Sequence, residues 1–458
     1  MAEESEELRM KSEELKRNGL LLLTLNFSLF TVFLAGCAAR PAGRGAAPEF
    51  ERIRGQIHVK PGAALSAGAA KVDITPPVGT PLAGYAKRRG KPSTGIRDPL
   101  YVRALALSDG EDTLLLISAD LLVFTQPLAE RILRRISEEN SIPRQGILLA
   151  ATHTHSGAGS IATGFLHEQV FGRYRKDIEE GIISRILWSA RQALENRKPV
   201  RWSKASDERL LEGFVENRAL PGGLSDPSIS VLIFSEEPGG VVAAVVNAAA
   251  HPTLLDSRDM RFSADFPGEL CRKMEEVYPG AVCLFFNGAA GDERPQDAIG
   301  ATAEERVQRF GGLLAEAATA LASRVLPESK GDLAVWGGWF GLPEPRIRLG
   351  PIPLHPEIGR MMRPTSVFLN VAALEGTLLV PLPAELTAEL GIALKRKLAE
   401  KGRAALLMGY SNGYLGYAVT AQQYAGGSYE AGMTWYGADF GQILENHLLL
   451  LAGLHDAE

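Results

Sequence analysis

Cysteine is scarce in this chain, with three in 458 residues. One of them, Cys37, sits near the N-terminus. The other two, Cys271 on a helical pattern and Cys283 in an apolar strand, leave room for one disulfide or for two buried thiols. Neither has the setting of a metal ligand. Positive charge is not in excess either: 49 Lys and Arg stand against 54 Asp and Glu, for a net charge of -5 and a pI near 6.0. That balance excludes the basic face a nucleic-acid partner requires. The compact basic cluster Lys87-Arg88-Arg89 reads as a solvated loop. Internal repeats and interior low-complexity linkers are missing too. Histidine numbers only eight, so histidines that recur in one setting carry weight.

Long apolar runs are nearly absent, and the exception lies at the start. A polar stretch ending in Lys16-Arg17 precedes the run 20–36, which is short for a spanning helix. It closes on Leu34-Ala35-Gly36-Cys37, the pattern of a bacterial lipobox. The expectation is a lipoprotein signal peptide over 1–36, with Cys37 diacylated after cleavage; the alternative is an uncleaved signal anchor. Met10 is an alternative initiator. Residues 37–68, rich in Pro, Gly and Ala, read as a lipidated tether, and 69–458 as one globular domain. The folded part is then extracytoplasmic, lipid-anchored to a membrane of the bacterial cell envelope.

At 45% hydrophobic the chain can bury a large core. Strand-like runs fall at 102–107, 113–118, 146–150, 229–234, 241–248, 281–286, 367–371 and 377–380. Helical periodicity covers 128–139, 177–196, 268–277, 303–324, 384–401 and 432–451. Strands interleaved with helices predict the α/β class, as a single large mixed-sheet catalytic domain with a metal site at strand ends.

The chemistry gathers at those ends. His153-Thr154-His155-Ser156 follows the run 146–152, and on an extended backbone residues i and i+2 share a face. His251 repeats the setting, after the strand 241–250 and before Pro252. Three histidines at two strand termini suit zinc with an open position for water. Glu385, where the strand 377–383 runs into a helix, is the best carboxylate ligand or else an acid complementing the helix dipole. Five of the ten tyrosines, among them Tyr410, Tyr414, Tyr417, Tyr424 and Tyr429, fall within 409–429 among glycines, as a pocket wall or a packed aromatic loop. The Gly-rich turn 287–292, ending in Asp292, follows a strand and reads as a ligand-contact loop. Asp265 is either an acid orienting a histidine or a helix-start residue.

The order of these segments resembles the N-terminal catalytic domain of the neutral/alkaline ceramidase family. The resemblance runs from 70–77 and Gly84-Tyr85 through 118–120, Thr152-His153-Thr154-His155-Ser156-Gly157 and Asn217-Arg218. It continues with His251-Pro252, Ser263-Ala264-Asp265, 287–292, Pro383-Ala384-Glu385 and 412–430. It implies one zinc per chain held by His153, His251, Glu385 and Tyr417. His155 would be the acid/base, Arg218 and Tyr429 the oxyanion donors, and Gly84 and Asp292 would meet substrate. The implied activity is hydrolysis of the N-acyl linkage of ceramide-like lipids, through water acidified by zinc; the alternatives are a metal-dependent hydrolase of another envelope amide or ester and a non-catalytic ligand-binding lipoprotein. The implied partner is an N-acylated amphiphilic substrate, with the membrane reached through Cys37. One departure is local: members often carry Gly-Asp-Val-Ser-Pro where this chain has Gly291-Asp292-Glu293-Arg294-Pro295, which sets charge where a substrate hydroxyl would be read.

Overall fold

The computed structural model describes residues 64–453, apart from 237, 329, 330, 350, 351 and 354. The signal-peptide and lipidation readings, including Cys37, lie outside the described residues, as does most of the tether. The first strand, β1 (Ser66–Asp73), already starts within the segment read as tether.

Seven further strands join it: β2 (Tyr101–Ser108), β3 (Thr113–Ala119), β4 (Ile147–Ala151), β5 (Lys198–Asp207), β6 (Ile229–Glu236), β7 (Val241–Ala248) and β8 (Val282–Asn287). Their order is β8-β7-β6-β5-β1-β2-β3-β4. The outermost pairs at both edges, β3 with β4 and β7 with β8, are parallel, and the pairs between them antiparallel. Strands β1 and β5 meet over two residue pairs only, Ser66 with Pro199 and Ala67 with Lys198, so the sheet divides there into two halves. Across the division Ser118 Oγ donates to Phe285 O at 2.6 Å, tying β3 to β8.

A second sheet holds β9 (Leu333–Gly341), β10 (Ser366–Leu374), β11 (Thr377–Pro381) and, after the two-residue β12 (Glu385–Leu386), β13 (Ala405–Met408). Strand alternation explains how the two sheets stack. Leu105 and Leu107 of β2 join Leu333, Leu374, Leu379 and Met408 in one core between the sheets. Val102, Ala104 and Ala106 turn the other way, onto Ile132 and Ile136 of α1 (Gln126–Asn140) and Ile182 and Ile186 of α2 (Lys176–Glu195). The second sheet buries its far face, with Val367 and Leu369, against α5 (Ala388–Ala399) and α6 (Phe440–Gly453). Helices α3 (Asp265–Val277) and α4 (Ala303–Ala322) cover Val231 and Val246 of the other half. Each fully buried Leu or Ile on these faces contributes about 1.5–3 kcal/mol. The α/β class with a large mixed sheet is therefore what the chain adopts, with the second sheet as an addition.

Two boundaries differ from the periodicity reading. The helix expected from 384 begins at Ala388, because Glu385 and Leu386 pair in parallel with β14 (Tyr417–Ala418) instead. In the span expected to be helical from 432, Gly432 closes the short helix Tyr429–Gly432 and the helix proper begins at Phe440. Cys271 and Cys283 are both buried and unpaired, which settles the choice in favour of free thiols. Among the described residues no helix is long and apolar enough to cross a membrane.

Candidate metal and catalytic site

Three strand ends deliver the site. Strand β4 stops at Ala151, and His153 follows with its backbone in the left-handed region at φ 71°. The pairing of the two imidazoles therefore comes from a turn rather than from strand alternation. That conformation is costly for a residue with a side chain. Here it is held by Thr152 N donating to Ala119 O at 2.9 Å and His153 N donating to Leu121 O at 3.0 Å. His251 follows β7, its N donating to Glu293 O at 3.1 Å.

The three imidazoles converge. His153 Nε2 lies 3.2 Å from His251 Nε2, and His155 Nε2 lies 3.1 Å from the same atom. Glu385 Oε2 stands 3.3 Å from His153 Nε2 and 4.0 Å from His251 Nε2. The structure thus brings His153, His155, His251 and Glu385 together from separate segments.

Tautomers follow from the outer contacts. His153 Nδ1 meets Leu122 O at 2.8 Å and His251 Nδ1 meets Ala290 O at 3.0 Å. A carbonyl accepts only, so each Nδ1 carries the proton and each Nε2 presents a lone pair. Two such lone pairs face each other at hydrogen-bond distance with nothing to donate between them. Burial, reinforced by Arg218 and the neighbouring imidazoles, pushes His251 well below the usual histidine range, so a proton there is disfavoured. Burial, then His153, Arg218 and Arg88, does the same to His155. Glu385 Oε2 is buried without a hydrogen-bond partner. Burial alone would raise the Glu385 carboxyl, but His153, the Tyr414 hydroxyl and Arg218 hold it below its ordinary value. Converging nitrogen lone pairs and an unsatisfied carboxylate oxygen are the donor set of a cation site, and the three histidines can bind a metal ion.

His155 differs from the other two. Its buried Nδ1 faces the backbone of Gly84 without the well-formed carbonyl hydrogen bond that His153 and His251 each make. Gly84 (φ 113°) packs directly on it: a Cβ there would come within 2.7 Å of His155 Cα and 2.9 Å of its Cγ. Gly84 also lines the cavity, so the position read as a substrate contact is also the seat of His155. Arg88, read from the sequence as solvated, is 3% exposed. Its guanidinium donates to the carbonyls of Ala83, His155, Asp256 and Asp259. One buried cation thereby ties the Gly84 loop to the loops carrying His155 and following His251.

The tyrosine segment forms one wall. Tyr410 stacks on His153 at 3.8 Å between ring centroids and 12° between planes. Tyr414 Oη donates to Glu385 Oε1, a contact the sequence reading did not assign. Tyr417 is set beside Glu385 by the β12–β14 register, and its Oη accepts from Arg218 Nη2 at 2.9 Å. The same Nη2 also donates to Gly291 O at 2.7 Å, and Arg218 Nε meets Glu430 Oε1 at 3.2 Å. Arg218 thus stands behind Tyr417 and is not among the cavity-lining residues, whereas Tyr429, 66% exposed, is one of them. The cavity, about 300 Å³, is lined by His153, His155 and Glu385 and by Leu122, Val123, Phe171 and Trp435.

The Gly-rich turn 288–291 works otherwise than as a ligand loop. Gly291 N donates to Leu386 O at 2.8 Å, and a Cβ on Gly291 would lie 2.9 Å from Glu385 O. Asp292 is fully buried, Oδ1 accepting from Ala388 N at 2.7 Å and Oδ2 from Asn217 Nδ2 at 2.9 Å. It lies outside the cavity lining and braces the start of α5. Glu293 is likewise buried, its Oε1 accepting from Asp226 N, and Arg294 pairs with Glu216. The charges of this motif therefore do not enter the cavity. Asp265 is a helix-start residue that accepts from Leu255 N at 3.1 Å and Phe266 N at 2.7 Å, and burial raises its carboxyl to about 6.

The family described as neutral/alkaline non-lysosomal ceramidase, N-terminal, matches residues 65–281. That segment, just under half of the chain, is similar to the neutral/alkaline ceramidase family. The neutral ceramidase of Mycobacterium tuberculosis is 27% identical over 236 residues, 47% of this chain and 37% of that protein. The neutral ceramidase of Pseudomonas aeruginosa is 23% identical over an alignment covering 81% of this chain and 69% of its own length. The crystal structure of that Pseudomonas enzyme superposes with a TM-score of 0.75 at 21% identity, covering 86% of this chain and 75% of the other. A structure described as ceramidase complexed with C2 gives 0.76 at 20% identity, covering 86% and 76%. The fold is shared across these chains, and the family match covers the first two histidine-bearing strand ends.

Proposed function

We propose that the chain is a zinc-dependent amidohydrolase that cleaves the N-acyl linkage of ceramide-like lipids. The observation that carries the reading is the meeting of His153 Nε2 and His251 Nε2 at 3.2 Å with both Nδ1 atoms committed to carbonyls. A metal bound there supplies Lewis acidity toward a water molecule and toward the acyl carbonyl. His153, His251 and Glu385 hold it, with Tyr417 next to Glu385. The two histidines whose Nδ1 protons are fixed by carbonyls have the outer support usual for metal ligands. His155, without that anchor and seated on Gly84, is free to take a proton at one nitrogen and release it.

The reaction balances on these groups. A water oxygen bonds to the acyl carbon, His155 receives the water proton, the C–N bond breaks and the proton passes to the leaving amine. The products are a fatty acid and a free amine, the second water proton staying with the acid until it ionises. Tyr429 stands in the cavity as a hydroxyl donor for the developing oxyanion, and Arg218 orients Tyr417 from behind. The relatives named as neutral ceramidases, together with the apolar walls at Leu122, Val123, Phe171 and Trp435, support an amphiphilic N-acyl substrate.

The test is release of fatty acid from N-acyl sphingosine by purified protein, beside polar N-acyl amino sugars. Turnover of the lipid amide is expected; turnover of the polar compounds alone would contradict the lipid assignment. The same proposal keeps Cys37 as a lipid anchor in the bacterial envelope. Metabolic labelling with palmitate should mark the native chain and not Cys37→Ser, and equal labelling of both would remove the anchor.

A further inference from the structure

The cavity holds a second set of polar groups away from the histidines. From Glu385 the wall continues through Tyr414, whose ring meets Trp435 edge-on at 5.4 Å, to Arg363, whose guanidinium lies 3.4 Å over the Trp435 ring. Arg346 is pinned to the same residue, its N donating to Trp435 O at 2.6 Å. Arg363, Arg346 and His167 all line the cavity.

No acid answers these cations. Among the described residues neither Arg363 nor Arg346 has a carboxylate within ion-pair distance, whereas Arg360, three residues from Arg363, holds both Glu344 and Glu357. A guanidinium offers five N–H donors. The described residues engage one of Arg363's, through His167 Nε2 at 3.4 Å, and its Nε is buried without a partner. His167 brings no negative charge: Nδ1 is committed to Thr163 O at 2.8 Å, and burial lowers its basicity. Burial also lowers the basicity of Arg363. Glu385 is the one carboxylate of the lining; its Oε1 already accepts from Tyr414, and its Oε2 lies 3.3 Å from His153 Nε2. A half-buried cation without a counter-ion is unfavourable unless a ligand supplies one.

We propose that Arg363, supported by Arg346, forms a subsite for an anionic group, a carboxylate or a phosphate, carried by the N-acyl amphiphile whose amide reaches the histidines. The inference rests on the amidohydrolase reading for the cleaved bond and on the unpaired guanidinium for the charge. The planar fork of arginine fits both anions in two-point fashion, and the Trp435 face fixes its plane. The preferred substrate is thus a charged relative of ceramide rather than a neutral one.

Two matched pairs test it: N-dodecanoylglycine with N-dodecanoylglycinamide, and N-dodecanoyl-O-phosphoethanolamine with N-dodecanoylethanolamine. For the native chain kcat/KM is expected to favour the anionic member by about tenfold or more in at least one pair. Which pair responds distinguishes carboxylate from phosphate. Arg363→Gln is expected to bring that ratio close to unity. Should that variant fail to fold, Arg363→Lys, which keeps charge but loses the fork, is expected to lower the ratio several-fold. A native ratio near one, or an anionic preference unchanged in both variants, overturns the subsite.

Calorimetric binding of dodecyl phosphate and of dodecyl maltoside, below their micelle concentrations, separates this from the catalytic reading. Dodecyl phosphate is expected to bind and to weaken about tenfold in Arg363→Gln, with the maltoside unaffected. If no amide is cleaved but that dependence holds, the hydrolase fails and the anion subsite stands. If amides are cleaved with no charge preference and phosphate binding ignores Arg363, the subsite fails and the hydrolase stands.

Discussion

At the scale of single residues, the site is governed by groups that touch the histidines from outside. Gly84 is the sharpest case. Its φ of 113° and the 2.7 Å approach of a notional Cβ to His155 Cα leave no room for a side chain. Gly84→Ala is expected to cut turnover by about tenfold to a hundredfold, since displacing a reacting group by an ångström has effects of that order, while zinc content stays near that of the native chain. Equal loss of metal and activity would show that the glycine serves the metal cage instead. Arg88 acts more widely, with carbonyl contacts to three loops. Arg88→Met should lower stability by about 2–4 kcal/mol, as buried carbonyls lose a charged donor, measured by urea unfolding. A change below half a kilocalorie would place that residue where the sequence reading had it, in solvent. The cluster Lys87-Arg88-Arg89 could not reveal this, because a run of like charges does not say which side chain turns inward.

At the scale of elements, strands and helices were legible where one period dominates. The runs at 102–107, 113–118 and 241–248 are apolar on both faces because helices cover one side and the second sheet the other. Strands β1, β5 and β9 were not read. The first is small and alternates weakly, the second carries lysine and arginine between its inward residues, and the third is interrupted by Gly337 and Gly338. Glu385 was legible as an acid at a strand end, but its pairing in β12 with Tyr417 depends on a contact 32 positions along the chain, which periodicity does not encode. Tyr414 was missed as the partner of Glu385 for the same reason. Asn412 joins elements in a way that can be measured. Its Oδ1 accepts from Leu149 N at 2.8 Å and its Nδ2 donates to Asn370 Oδ1 at 2.8 Å, holding β4 against the tyrosine loop and β10. Asn412→Ala is expected to cost about 2 kcal/mol, since it leaves a buried strand N–H unpaired. A value near zero by thermal unfolding would mean that the loop is positioned by Tyr410 alone.

At the scale of the whole molecule, two stacked sheets with helices outside bring three distant segments to one cavity, and a metal held there would link those segments. Removing zinc with a chelator should therefore lower the melting temperature by several degrees, recovered on adding zinc back, because a ligand bound only by the native state stabilises it. An unchanged melting curve with full metal removal would mean that the ion contributes nothing to the fold. The central claim divides the histidines: His153 and His251 as ligands with carbonyl-fixed tautomers, His155 as the proton carrier. The most direct measurement is the zinc content of purified His153→Ala and His155→Ala, each loaded under the same conditions as the native chain. Loss of zinc is expected in the first, and in the second about one equivalent retained with turnover lost by a hundredfold or more. Equal loss of zinc in both would contradict it and make all three imidazoles ligands.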